Sequence, residues 1–264
     1  IRNCNVAELD IPLKYATKLY NEFAIRHPNA FYLRTRQRGM QNWDGKIKYI
    51  TKTGQFKIGL LPSVYKRCIE LGIKPIIVDM RQPLPKVSKV VTQIGKYKLR
   101  PEQEKAVKAI LSNKLGETPF QIGVLDYTVN AGKTLIMSAL YLSYKKQLKT
   151  LLITNDSDWL NQARDEFKQY LPGEDITFVQ GKVLNWSNFT IGMVQSISRN
   201  MKYYQNELAK IDMVLIDEAD QGGSKQYQNV ITRLFNTRVR IGLSGTIYML
   251  SLIHISEPTR LLSI

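Results

Sequence analysis

The chain has 264 residues and 44% apolar content, enough for one large or two ordinary domains, and no window approaches the 18 consecutive apolar residues of a membrane-spanning helix. Two cysteines, Cys4 and Cys68, and two histidines argue against a disulfide framework or a histidine-built metal site, which reads as a reduced, intracellular protein. Net charge is +16, and residues 1–95 hold 17 of the 38 Lys+Arg but only 6 of the 22 Asp+Glu, so the N-terminal third is either a solvated basic face or the partner of a polyanion such as nucleic acid.

Residues 10–26 read as a helix: Asp10 caps it, Pro12 suits its first turn, and Leu13, Ala16, Leu19, Tyr20 and Phe23 share a face. AFYLRTR (30–36) alternates like a strand, which sets Arg34, Arg36 and Arg38 on one face and sends either Phe31 or Tyr32 into the core. GKIKYI (45–50) and QFKIGL (55–60) read as strands of a hairpin joined by TKTG, with Lys46 and Lys48 on one face. Trp43 either stacks on a base or packs the small core from a turn. Pro62 opens a second helix to about Leu71, and KPIIVDM (74–80) is a further strand. Residues 1–80 thus form a small basic α+β unit, and 81–95, with RQPLPKVSKV, a linker.

From 96 to 250 the pattern changes. PEQEKAVKAILSN is helical, and the runs IGVLDY, TLLITN, FTIGMV, MVLIDE and RIGLSG are wholly apolar, each followed by turn or helix-like sequence. Such strands imply an α/β fold, a parallel sheet covered by helices on both faces, with the ligand beyond the strands' carboxyl ends. DYTVNAGKTL (126–135) lies at such an end, as strand, loop and helix start. It ends like the phosphate-binding pattern G-x-x-x-x-G-K-[ST] but carries Tyr127 at the first glycine. Gly132 lets the backbone approach a phosphate, Lys133 supplies a point charge, and Thr134 supplies a hydroxyl for Mg²⁺. MVLIDEAD (213–220) delivers Asp217, to hold Mg²⁺, and Glu218, to orient and deprotonate a water. Either motif alone is equally an ordinary loop; the two in this order point to a nucleotide site.

These residues resemble superfamily 2 helicases and translocases. DEAD at 217–220 reads as that superfamily's second motif, and its first loop glycine is often replaced, as in A-P-T-G-S-G-K-T, so residues 127–130 resemble a variant loop. LRPEQEKAV (99–107) resembles the segment ahead of the loop, which implies that Gln103 reads the adenine edge beside Arg100, with Asn130, Ala131, Gly132, Lys133 and Thr134 around the phosphates. TLLITNDSDWLNQARDEF (150–167) resembles a further motif, with Asn155 where proline is usual. TIGMVQSI (190–197) resembles the T-x-Q-S motif, implying that Gln195 and Ser196 touch the nucleic-acid backbone. GLSGT (242–246) resembles the third motif, in which Ser244 and Thr246 couple hydrolysis to movement.

Within the superfamily the likeness is to UvsW-like phage DNA helicases. It extends to NWDGKIKYI (42–50) and IGLLPSVYKRCIELG (58–72). The resemblance implies a RecA-like first lobe, ATP and Mg²⁺ as cofactors, duplex, forked or branched DNA as partner, and a bacterial or phage-infected cytoplasm. Arg34, Arg36, Arg38, Trp43, Lys46 and Lys48 are then the expected DNA-binding residues of the first unit. Residues 251–264, SLIHISEPTRLLSI, look like translated sequencing-adapter read-through. The chain therefore reads as a gene fragment that stops before a second RecA-like lobe and its arginine finger, binding ATP–Mg²⁺ and DNA but hydrolysing and unwinding little. The alternatives are the translocase part of a restriction or nuclease complex, an RNA helicase, and a non-catalytic nucleic-acid-binding module with an inactive loop.

Overall fold

The computed structural model describes residues 1–36, 39–87, 89–126, 132–180, 183, 186–219 and 224–245. Arg38, Asn130, Ala131, Thr246 and the 251–264 tail lie outside the described residues.

The first 80 residues are built from short elements: β1 (Val6–Glu8), α1 (Leu13–Glu22), β2 (Ala24–Arg26), α2 (Ala30–Arg36), β3 (Lys46–Lys48), β4 (Gln55–Lys57) and α3 (Leu61–Glu70). β1 pairs antiparallel with β4, and β2 with β3. Four expectations need correction here. The first helix is shorter than 10–26, because Phe23 leaves it and the chain turns into β2; Pro12, not Asp10, occupies its N-cap, and Leu13 is 77% exposed.

AFYLRTR is a helix, not a strand. Seven residues are too few to separate a period of 2 from 3.6, and Ala30 packs against the turn at Gly45. Arg34 and Arg36, two positions apart, therefore point away from each other, and Phe31 and Tyr32 are both exposed. The hairpin shrinks to a Thr51–Gln55 turn and one bridge, Ile50 to Phe56, since β3 and β4 find other partners. KPIIVDM is extended but joins no sheet; its backbone is tied instead to Ile1, whose carbonyl accepts from Met80 N–H at 3.1 Å.

Two short hairpin pairs flank the next helix: β5 (Gln93–Ile94) with β6 (Tyr97–Lys98), then α4 (Pro101–Ser112), then β7 (Lys114–Leu115) with β8 (Thr118–Pro119). The main sheet and its helices follow: β9 (Ile122–Asp126), α5 (Lys133–Ser143), β10 (Thr150–Thr154), α6 (Ser157–Tyr170), β11 (Ile176–Val179), β12 (Phe189–Met193), α7 (Val194–Arg199), α8 (Met201–Leu208), β13 (Met213–Asp217), α9 (Lys225–Ile231) and β14 (Val239–Ser244). The six strands are all parallel, in the order β11-β12-β10-β13-β14-β9. This is the parallel α/β sheet expected from the apolar runs, RecA-like as the resemblance implied, with the short, half-buried edge strand β11 added.

Why the strands are apolar on both sides is visible in β10. Leu152 faces a core shared with α4, α5 and α6, including Val107, Ile136, Leu140 and Phe167. Its neighbours Leu151 and Ile153 face a second core with Ile197, Tyr204, Leu208 and Tyr227 of α7, α8 and α9. Each such fully buried aliphatic residue contributes about 1.5–3 kcal/mol relative to exposure. Among the described residues no helix is long and apolar enough to cross a membrane.

A third core joins the N-terminal residues to the sheet: Leu19, Phe56, Ile58 and Val64 pack with Leu115, Phe120 and Ile122. The described residues of 81–91 contain no helix or strand, yet Leu84, Val87, Val90 and Val91 pack on the large core. Two arginines at the start of β14 complete the junction. Arg238 donates to Asp79 Oδ2 at 3.0 Å and to the Gln82 carbonyl, while Arg81 donates twice to Asp79 at 2.8 Å. Arg240 reaches Asn5 Oδ1 at 2.5 Å and the Leu234 carbonyl at 2.8 Å.

Candidate active site

The carboxyl ends of the parallel strands bring the motifs to one edge. β14 lies between β13 and β9, so Ser244 pairs in register with Asp126 on one side while Leu243 pairs with Asp217 on the other. The strand that ends in the two carboxylates and the strand that leads into the glycine–lysine loop are thereby held one strand apart. Local sequence supports each piece. Pro101 occupies the first turn of α4, where its missing N–H costs nothing. Gln103 Oε1 turns back to accept from Arg100 N–H at 2.9 Å, and Arg100 Nε meets Glu102 at 3.0 Å. Asp156 caps α6 by accepting from Asp158 and Trp159 N–H.

Gly132 is the N-cap of α5 and sits at φ +82°, a left-handed conformation that glycine adopts without a Cβ clash. A Cβ there would lie 2.4 Å from Gln103 Nε2 and 3.9 Å from Arg100 Nη2. The glycine thus leaves room for the α4 N-terminus and sets Arg100 and Gln103 beside the loop. Lys133 and Thr134 follow in the first turn of α5, both buried.

Lys133 Nζ lies 2.9 Å from Glu218 Oε1 and 3.5 Å from Asp217 Oδ1. Asp217 is 2% exposed. Burial pushes its carboxyl up to about 6; the neighbouring Lys133 charge opposes that rise and the Glu218 carboxylate adds to it. The three charges sum to −1 when all are ionised, which suits a divalent cation. Glu218 has φ +49°, uncommon for a residue with a side chain. The turn this makes carries Glu218 away from the strand direction and across to Lys133.

Sequence reasoning missed what holds that turn. A Cβ on Gly242 would sit 2.6 Å from Ala219 Cβ and 3.3 Å from Val124 Cγ2. Gly242 lets the residue after Glu218 rest on the sheet, and the available signal was a glycine inside the apolar run RIGLSG. Since Ala219 Cβ cannot rotate away, Gly242→Ala is expected to destabilise the protein by about 1–3 kcal/mol. The measurement is a lower denaturant midpoint with an unchanged slope.

Gln195 and Ser196 begin α7, directly beyond β12 on the same edge. Gln195 Nε2 donates to the Asn155 carbonyl at 3.3 Å, at the end of β10, while its Oε1 is buried without a partner. Ser244 is fully buried. Of the two rows expected in the N-terminal third, the arginine row is broken by the helix, while Lys46 and Lys48 share a strand face. Arg34 and Arg36 are exposed on α2; Lys46 and Lys48 keep their two-residue spacing on β3, but Lys48 is drawn to Asp44 at 3.4 Å and lies over the Tyr20 ring. Trp43 is half-buried in a turn, donating to the Lys46 carbonyl at 2.9 Å and set edge-on to His27. Two cavities, of about 580 and 720 Å³, open at the other end of the sheet around Arg81 and Arg238. They lie at the strands' amino ends, away from the charged carboxyl edge that holds Lys133, Asp217 and Glu218.

A family model described as type III restriction enzyme, res subunit, matches residues 96–249. A protein of Acanthamoeba polyphaga mimivirus whose name includes ATP-dependent RNA helicase is 26% identical over 148 residues, 56% of this chain and 27% of that protein. The ATP-dependent DNA helicase uvsW of Enterobacteria phage T4 is 24% identical over 227 residues, 78% of this chain and 43% of the relative. The chain therefore spans less than half the length of either. A solved structure of T4 UvsW superposes with a TM-score of 0.75 at 20% identity, covering 97% of this chain and 54% of that one. A second, of the UvsW helicase from bacteriophage T4, gives a TM-score of 0.72 at 20% identity, covering 96% and 94%.

Proposed function

The chain belongs to the family described as type III restriction enzyme, res subunit, and from that footing we propose that it is the ATP-binding lobe and accessory N-terminal region of an ATP-dependent DNA helicase or translocase of superfamily 2. The observation that carries the reading is Lys133 seated between Asp217 and Glu218 at the carboxyl edge of a parallel sheet. The uvsW likeness, which runs through much of the N-terminal third as well, favours DNA as the polymer moved.

The residues present fit ATP and Mg²⁺. Gly132, at φ +82°, opens α5 directly before the buried Lys133 and Thr134, and the Lys133–Asp217–Glu218 group carries net −1 with one buried carboxylate. Lys133 and the backbone around it hold the phosphates, with Gln103 and Arg100 toward the adenine; Thr134 and Asp217 hold the ion. When bound, Mg²⁺ neutralises charge that builds on the transferring phosphoryl group. Lys133 would pair with the phosphates in place of Glu218, whose carboxylate would then be available to orient a water and accept its proton. Ser244, on the strand between loop and carboxylates, feels any shift of either, which suits a coupling role. Residues on α7 and in the basic N-terminal third contact the DNA backbone.

Binding of a non-hydrolysable ATP analogue with Mg²⁺, followed by calorimetry, tests this. Asp217 must be ionised to take the cation, so affinity is expected to hold above pH about 6 and to fall up to tenfold per pH unit below it. The stability sign is opposite: a carboxyl raised above its unfolded value of 3.8 costs stability as pH rises through about 6. Analogue binding with no dependence on Mg²⁺ or on this pH window overturns the site assignment.

A further inference from the structure

Helix α2 rests one side on the fold and leaves an aromatic pair in solvent. Ala30 is buried and Leu33 half-buried, and a Cβ on Gly45 would lie 3.0 Å from Ala30 Cβ, so the helix sits directly on the turn before β3. At 100° per residue the other side chains run round the exposed arc in the order Arg34, Phe31, Thr35, Tyr32, Arg36. Phe31 is 81% and Tyr32 55% exposed. The Thr35 hydroxyl donates back to the Phe31 and Tyr32 carbonyls, each at 3.0 Å, and so stays off the rings. Arg36 lies 5.1 Å from the Tyr32 ring centroid. Two aromatic rings thus stand in solvent with an arginine on each flank.

A second cationic pair adjoins them. The β2–β3 register sets Arg26 opposite Lys46, both exposed. Like charges directly opposite on paired strands repel, and no carboxylate among the described residues forms an ion pair with either. His27 N–H donates to the Gly45 carbonyl at 2.8 Å, tying the segment that joins β2 to α2 onto the turn under the helix. The cation pair therefore lies beside the turn on which α2 rests, and the rings stand on the exposed arc of that same helix.

Cations select a polyanion, and the exposed ring faces, those of Phe31 and the Tyr32 face away from Arg36, select flat π surfaces. Unpaired bases on a phosphodiester chain supply both, whereas a duplex keeps its bases stacked on one another. We infer that Phe31 and Tyr32 form a stacking platform for unpaired bases of single-stranded DNA, with Arg26, Arg34, Arg36 and Lys46 on the adjoining phosphates. The inference rests on the nucleic-acid role proposed for the N-terminal third and goes beyond it in naming unpaired bases as what these residues engage, such as one arm of a forked molecule.

The test uses the full chain and two probes at one fixed salt concentration: a fluorescein-labelled oligothymidylate and a blunt duplex of the same length. Phe31→Ala and Tyr32→Ala are each expected to weaken single-strand binding about tenfold while leaving duplex affinity unchanged. Both rings are exposed, so melting curves stay at the wild-type midpoint, and Phe31→Trp retains affinity. Arg26→Ser with Lys46→Ser is expected to weaken both probes. In a salt titration it lowers the slope by about 1 for each phosphate no longer neutralised, whereas the ring variants leave the slope at the wild-type value. An oligonucleotide carrying 2-aminopurine loses fluorescence on wild type through stacking, and keeps it on Phe31→Ala/Tyr32→Ala. Unchanged single-strand affinity in that double variant, or an equal loss on both probes, overturns the platform and leaves the nucleic-acid reading standing. Wild-type protein that binds neither probe overturns the nucleic-acid reading and the platform with it.

Discussion

Lys133→Ala is expected to weaken Mg²⁺–ATP-analogue binding about 100-fold and to make stability more sensitive to alkaline pH. The first effect is loss of a charged donor to the phosphates, where hydrogen bonds to charged groups contribute about 1.5–3 kcal/mol each. The second follows from the unliganded geometry. The ammonium lies 2.9 Å from Glu218 and 3.5 Å from Asp217, so it neutralises one of two carboxylates at a mostly buried edge. With alanine the pair carries −2, and the counter-charge that holds the Asp217 carboxyl down is gone, so a group that burial has already lifted to about 6 rises further. A carboxyl raised in the folded state costs stability as pH climbs through its folded value. The variant should therefore melt below wild type by a wider margin near pH 8 than near pH 5. Calorimetry with the analogue and melts at both pH values check it; unchanged affinity would sink the assigned role, and duplex DNA binding should not change.

Asp79→Ala is expected to lower stability by about 3–5 kcal/mol, the cost of leaving buried charges without their partner. Arg81 and Arg238 have side chains only 1% and 8% exposed, and Asp79 accepts from both. Burial alone pushes the Asp79 carboxyl up, but the Arg81 hydrogen bonds and charge, with the Arg238 charge, outweigh it and hold it below the usual carboxylate range. Its stabilisation is therefore present at neutral pH and lost as pH falls through the carboxylate range. Without it two guanidinium groups face each other at the junction of N-terminal third and sheet. The melting midpoint should fall by roughly 6–20 °C. Asp79→Leu combined with Arg81→Met and Arg238→Met should recover much of the loss, because an apolar replacement removes the desolvation cost of the whole triad. Analogue affinity at low temperature should be unchanged, since this triad is at the opposite end of the sheet from Lys133. A loss confined to under about 1 kcal/mol would mean that the triad is solvated like a surface pair.

Arg240 also explains why a strand reads as RIGLS rather than as a pure apolar run. β14 carries Arg240 near its amino end, with Arg238 just before it, toward the N-terminal third, and Ser244 at its carboxyl end, between the Asp217 strand and the loop strand. One strand thus touches both the junction and the candidate site. Neither arginine stood out in the sequence, because their partners, Asp79 and Asn5, are 159 and 235 residues away along the chain.

Sequence alone determined the parts whose physics is local. A strand buried on both faces must be apolar throughout, so TLLIT and MVLID were legible as sheet core, and so was the edge at which they end. The glycine, lysine and threonine of the loop and the paired carboxylates were legible because their chemistry needs those residue types at strand ends. Tertiary structure alone decided the rest. AFYLRTR satisfies a strand or a helix equally over seven residues, and only the fit of Ala30 over Gly45 chose the helix, which turned Phe31 and Tyr32 out together. KPIIVDM has strand composition, but pairing needs a neighbouring strand, and among the described residues its backbone is tied to Ile1. The left-handed turn at Glu218 and the Gly242–Ala219 contact beneath it depend on two strands lying side by side. Composition reports what a residue prefers; which strand or helix lies against it is set by contacts far apart in the chain, and those decided where the charges and rings of this protein point.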